Sequence, residues 1–122
     1  MNVRDMSKNY FGGNQLKCKH CNEYKFNAEF LNTLNHIRSQ FGKPIYISSG
    51  YRCEKHNKNI GSKPTSSHVK GLAVDIKCDN SVDRYNLIRI AMASGVVRMG
   101  VSSSFIHLDL DTDKPSPVMW TY

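Results

Sequence analysis

The chain has 122 residues, with 17 Lys and Arg against 10 Asp and Glu, a formal net charge of +7 and a hydrophobic content of 39%. A chain of this length buries roughly two thirds of its unfolded surface as one domain, which excludes a disordered chain and a disulfide-dense mini-protein, and no run approaches the roughly 20 apolar residues of a membrane span. The positive balance suits an anionic partner, either nucleic acid or an acidic polymer such as a bacterial envelope, and charge alone does not choose between them.

Met1 to Tyr10 lacks the apolar run of a signal peptide, so synthesis in a cytoplasm is expected. Residues 1–25 are polar and glycine-containing and read as an irregular N-terminal arm of a single domain over residues 1–122. The arm carries Cys18-Lys19-His20-Cys21, a pair able to supply two thiolates to a second, structural metal. Cys53 and Cys78 complete a four-thiolate set only if the fold brings them near, and are otherwise small buried apolar residues. Without an export signal all four are expected to be reduced at synthesis.

The first strong element follows. Asn27 suits an N-cap, Phe30, Leu31, Leu34, Ile37 and Phe41 recur at helical spacing, and Gly42 is a stop. Ile45 to Ser48 reads as a short strand ending in the turn Ser49-Gly50. Residues 53–67 read as a helical turn and a loop. Leu72 to Lys77 alternates as a strand, with Ala73 and Asp75 on one face and Leu72, Val74 and Ile76 on the other. A second main helix is predicted over Ser81–Ser94, with Val82, Tyr85, Ile88 and Met92 as its apolar stripe and Gly95 as its stop. Val96–Val101, Ser104–Leu110 and Val118–Tyr122 then read as an antiparallel meander. These elements predict an α+β domain, two main helices on a mainly antiparallel sheet.

Chemistry concentrates in two segments. In Ser66 to Asp75 an imidazole, His68, ends a loop, Gly71 turns the chain, and the Asp75 carboxylate lies within the following strand. In Phe105-Ile106-His107-Leu108-Asp109 two polar side chains share one face of an otherwise apolar strand, and polar groups on an inner face need a partner. Two imidazoles and one carboxylate form a recognised catalytic zinc set. Each segment alone also suits hydrogen-bonded core or loop residues, and spacing does not establish that they converge. His20, His36 and His56 read as a polar arm, a helix face and a solvated loop.

Three ordered motifs carry a resemblance: Ile47-Ser48-Ser49-Gly50-Tyr51-Arg52-Cys53, then Ser66-x-His68-x-x-Gly71-x-Ala73-x-Asp75, then Phe105-Ile106-His107-Leu108-Asp109. Together they resemble the zinc D-alanyl-D-alanine carboxypeptidase superfamily, which includes vancomycin-resistance D,D-dipeptidases, phage L-alanyl-D-glutamate endolysins and hedgehog-type domains. The likeness spans about Phe26 to Trp120 and is greatest to the short phage-type peptidases.

The resemblance implies one catalytic zinc on His68, Asp75 and His107. It matches Arg52 to a residue that contacts substrate and offsets charge on the attacked carbonyl or terminal carboxylate, and Ser66 to a serine near the substrate. Many relatives carry a general base just ahead of the third ligand, where this chain has Ser104 and Phe105. Asp109 is the expected substitute, with orientation of a ligand imidazole as its alternative role. Trp120 reads as a core or a cleft residue.

The implied function is a zinc peptidase that cuts an amide bond of peptidoglycan stem peptides, as a D,D-carboxypeptidase or an endopeptidase of the endolysin kind. It would reach the wall after release, by phage lysis or carriage in a virion. A monomer with no nucleic-acid partner is expected. Two other classes stay open: a non-catalytic zinc-binding module that recognises wall peptide, and a basic nucleic-acid-binding protein using Cys18-Lys19-His20-Cys21 as a zinc knuckle.

Overall fold

The computed structural model describes residues 9–122, so the first eight residues of the expected arm lie outside the described residues. Within that arm, Gly13–Leu16 forms a single helical turn, α1, and Phe11, Leu16 and Cys18 are buried.

The two main helices start and stop at the expected signals. In α2, Ala28–Phe41, the Asn27 side chain accepts the Phe30 N–H at 2.9 Å and Gly42 closes the helix at φ 79°. In α4, Ser81–Ala93, Asn80 caps Asp83 in the same way and Gly95 follows at φ 93°. The buried face of α4 differs from the predicted stripe. Leu87, Ile90 and Ala91 are buried, whereas Val82, Tyr85 and Met92 are exposed. Both sets satisfy a 3.6-residue period, so the helix is apolar on two sides and periodicity cannot say which side meets the core. A third helix, α3, spans Glu54–Asn59 within the segment read as a turn and loop.

Among the described residues five strands form one sheet: β1 Ile47–Ser49, β2 Ala73–Lys77, β3 Arg98–Val101, β4 Phe105–Asp109 and β5 Val118–Thr121, in the order β1-β2-β4-β3-β5. Three pairings are antiparallel, but β5 runs parallel to β3, so the sheet is mixed and the predicted meander is broken at its last strand. The cause is steric. β4 already has β2 and β3 on its two sides, so β5 adds to the outer edge of β3. The connection from β4 passes the start of β3, where Arg98 is aligned with both Asp109 and Val118, and so enters β5 in the direction of β3.

Alternation divides the sheet chemically. Val74 and Ile76 of β2 and Ile106 and Leu108 of β4 join Phe30, Leu34 and Ile37 of α2 and the buried face of α4 in the apolar core. The opposite face carries one aligned row across all five strands: Ser49, Asp75, His107, Gly100 and Trp120. Among the described residues no helix is long and apolar enough to cross a membrane.

Candidate metal centre and cleft

Two members of that row are direct cross-strand partners, Asp75 on β2 and His107 on β4. His68 reaches them from the loop before β2. Its ring is held by the Nδ1–H, which donates to the Gly50 carbonyl at 2.8 Å, and its backbone carbonyl accepts the Arg52 N–H. The loop turns back at Gly71, where φ is 70° and an added Cβ would lie 2.1 Å from the Lys25 carbonyl oxygen. Only glycine satisfies both conditions.

The donor atoms of His68, Asp75 and His107 all lie within 4.8 Å of one another. His68 Nε2 is 3.4 Å and His107 Nδ1 is 2.9 Å from Asp75 Oδ1. Two N or O ligands at tetrahedral zinc are about 3.3 to 3.4 Å apart, from bond lengths of roughly 2.0 to 2.1 Å, so these side chains fit a zinc ion with little movement. The hydrogen bonding points the same way. A carbonyl can only accept, so the proton of neutral His68 sits on Nδ1 and its bare Nε2 faces a carboxylate oxygen. Two acceptors at 3.4 Å repel unless a cation or a proton stands between them.

His107 is bracketed. Nδ1 faces Asp75, and Nε2–H donates to Asp109 Oδ2 at 2.6 Å. Burial lowers the basicity of this ring, but Asp109 and Asp75 outweigh it and its pKa lies above the ordinary histidine value. Burial likewise opposes ionisation of Asp75, yet the His107 ring hydrogen-bonded to it holds its carboxyl far below the usual carboxylate range. Without a metal, both ring nitrogens face carboxylate oxygens, an arrangement that favours the protonated ring.

Asp109, the expected base, is 1% exposed, and both of its oxygens are engaged. Oδ2 holds His107, while Oδ1 accepts the Asp111 N–H at 3.1 Å and pairs with Arg98 Nε at 3.0 Å. Ser104, one of the positions the resemblance marks for a base, is exposed, and its backbone carbonyl accepts the Cys78 N–H.

A cavity of about 360 Å³ opens over the triad. Arg52 and Ser66 both line it, joined by a 2.9 Å hydrogen bond from the guanidinium to the hydroxyl, and the buried Nε of Arg52 has no partner. Sequence reasoning missed Lys63, Arg98, Lys114 and Tyr122, which also line it. Trp120 is a cleft residue, half-buried, with its ring centroid 5.4 Å from that of His107 and the Arg98 guanidinium 5.0 Å above it. It can lean there because its neighbour in the row is Gly100, where an added Cβ would lie 2.5 Å from the indole Nε1.

A buried carboxylate outside the predicted set supports the His68 loop. Asp111 accepts from the Ser67 hydroxyl at 2.7 Å and from Lys70 Nζ at 3.0 Å. Burial opposes its ionisation, but these two donors outweigh that and hold its pKa low. Cys18, Cys21 and Cys53 form a second cluster of candidate donors, while Cys78 is buried with its Sγ directed at the Asn80 carbonyl.

Residues 7–109 match a family model described as Peptidase M15. No curated protein matches the chain.

Proposed function

The chain belongs to the peptidase M15 family of zinc-dependent metallopeptidases, and we propose that it hydrolyses an amide bond of peptidoglycan stem peptides with one zinc held by His68, Asp75 and His107. The observation that carries this reading is the bare His68 Nε2 aimed at Asp75 Oδ1 beside His107 Nδ1, an arrangement a cation relieves. When bound, zinc supplies Lewis-acid chemistry, activating water and polarising the scissile carbonyl.

The chain's own residues supply the rest. The Gly50 carbonyl fixes the His68 tautomer, and Asp109 Oδ2 keeps the proton of His107 on Nε2, so that both imidazoles present lone pairs to the ion. We assign Asp109 to this positioning role rather than to the base, since neither oxygen is free. Arg52, held by Ser66, carries an unpartnered buried donor suited to a substrate carboxylate or to the charge that develops on the attacked carbonyl. With Lys63, Arg98 and Lys114, the cleft offers four cationic side chains against the two carboxylates Asp75 and Asp109. That balance suits an anionic peptide. Trp120 provides a flat apolar wall. The reading treats residues 1–122 as one catalytic domain of hedgehog or D,D-peptidase type, acting on the wall when released by lysis or delivered by a virion.

The engagement of both cleft carboxylates favours one second reading, a zinc module that binds wall peptide without cutting it. Digestion of purified peptidoglycan, with products identified by mass, separates the two. Wild-type protein with zinc should release defined peptides, and His68→Ala should lose both the ion and the activity. The products then tell a terminal D-alanine cut from an internal one. Tight zinc binding with retention on the wall and no released peptide would overturn the enzyme reading in favour of the binding module.

A further inference from the structure

We infer that Cys18, Cys21, Cys53 and His20 form a second, structural zinc site that fastens the N-terminal segment to the start of α3. The three thiols are unpaired, and their Sγ atoms all lie within 4.8 Å of one another. His20 Nδ1 lies 3.9 Å from Cys53 Sγ. Thiolate ligands about 2.3 Å from a tetrahedral zinc stand about 3.8 Å apart, and a thiolate and an imidazole about 3.6 Å. The observed spacings close on an ion with a contraction of about 1 Å or less.

The backbone is arranged for it. Cys18 to Asn22 forms a tight turn in which the Asn22 N–H donates to the Cys18 carbonyl and the Cys18 N–H to the Glu23 carbonyl, with Asn22 at φ 61°. That turn presents Cys18, His20 and Cys21 together. Amides also point at the sulfurs: the Cys53 N–H donates to Cys18 Sγ at 3.3 Å, and the His56 N–H to Cys53 Sγ at 3.4 Å. Such donors favour thiolates. A further polar contact in the cluster runs from Cys21 Sγ to Glu23 Oε1 at 3.6 Å. A disulfide would satisfy only two of three converging sulfurs, whereas one ion satisfies all three and the imidazole.

The site has a structural purpose. The segment it ties down packs on the loop that serves the cleft, since Leu16 accepts the Tyr51 N–H and an added Cβ at Gly50 would lie 2.7 Å from the Leu16 carbonyl oxygen. Gly50 holds His68, and Arg52 immediately precedes Cys53.

The test uses the full chain, purified reduced and loaded with zinc. Elemental analysis should find two zinc ions per chain, one in His68→Ala and one in Cys53→Ser. Cobalt(II) in place of zinc should give thiolate-to-cobalt charge-transfer absorption in wild type and in His68→Ala, and none in Cys53→Ser. His20→Ala changes an exposed residue and should bind cobalt at the thiols about tenfold or more weakly, with altered ligand-field bands. One zinc per chain with no charge-transfer absorption in wild type would overturn the proposal, as would an intact mass two hydrogens short in mild reductant, the mark of a disulfide. If Cys53→Ser fails to fold, the wild-type and His68→Ala spectra still decide. The inference does not rest on the peptidase reading, because the His68→Ala protein reports the thiolate site alone.

Discussion

Replacing Asp109 with asparagine separates a positioning carboxylate from a base. The side chain makes three contacts: His107 Nε2–H at 2.6 Å, the Asp111 N–H at 3.1 Å and Arg98 Nε at 3.0 Å. The His107 and Asp111 N–H groups are donors, and Arg98 is a cation whose Nε pairs by charge without hydrogen-bond geometry, whereas an amide of the same shape offers one acceptor oxygen and one NH2. If its oxygen keeps Arg98 and Asp111, its NH2 faces His107, whose ring must then move its proton to Nδ1, the atom that faces Asp75. The lone pair needed for the metal is lost. Partners of this kind are worth about 10- to 100-fold in metal affinity, or about 1.4 to 2.7 kcal/mol. Asp109→Asn should therefore weaken zinc at the triad by about 10- to 100-fold, measured by competition with a chromophoric chelator, and peptide release should recover to near the wild-type rate at saturating zinc. Either substitution removes the counter-charge of the nearly buried Arg98, and Asp109→Ala also leaves the Asp111 N–H and His107 without their acceptor, so it should cost about 3 to 5 kcal/mol of stability. The reasoning is refuted if Asp109→Asn binds zinc as tightly as wild type while kcat falls by about 100-fold or more, which is the signature of a lost base.

Gly100→Ala puts a methyl 2.5 Å from the Trp120 indole nitrogen and 2.7 Å from the Tyr122 ring; zinc content should be unchanged, tryptophan fluorescence should shift, and KM should rise several-fold as the wall leaves His107. Gly71→Ala meets both a positive φ and the Lys25 carbonyl and should cost about 3 kcal/mol or more in urea unfolding; a change within 0.5 kcal/mol would contradict the close approach. The raised pKa of His107 predicts that its contribution to the stability of the chelated protein is full below about pH 6.5, the unfolded value, and is lost as pH rises through the folded one. Zinc displaces that proton, so zinc affinity at the triad should climb over the same interval, and a pH-independent affinity there would exclude the imidazolium.

The parts of this molecule legible in the sequence are those fixed by local rules. Asn27 and Gly42 bound α2 because a cap needs an acceptor at one end and a left-handed residue at the other. The alternation of Val74, Asp75 and Ile76 set the carboxylate apart from its apolar neighbours, as the alternation of β4 set His107 apart, whereas their pairing is known only from the sheet. Relations between distant segments were not legible. No local rule puts Cys53 rather than Cys78 beside Cys18 and Cys21, turns Leu87 rather than Tyr85 inward, or sends β5 parallel to β3. The role of Asp109 was half visible, since its spacing from His107 showed a shared face but not the arginine that occupies its other oxygen. Arg98 gave a signal that could have been used, a cation at the start of an apolar strand, though only the sheet reveals which carboxylate it meets.

The aligned row through Asp75, His107, Gly100 and Trp120 makes the ion's seat a discrete quantity. Strand register changes in whole residues: a slip of one would offer Val74 or Ile76 in place of the carboxylate, and a slip of two would carry it about 6.6 Å away. No intermediate setting exists, so small perturbations elsewhere leave the ligand spacing intact or abolish it. The surfaces that touch substrate follow the opposite rule, because Arg52, Lys63, Lys114 and Trp120 come from loops and the outermost strand. Such a molecule can be re-tuned for a new peptide by gradual change at its rim while the chemistry at its centre stays locked in step.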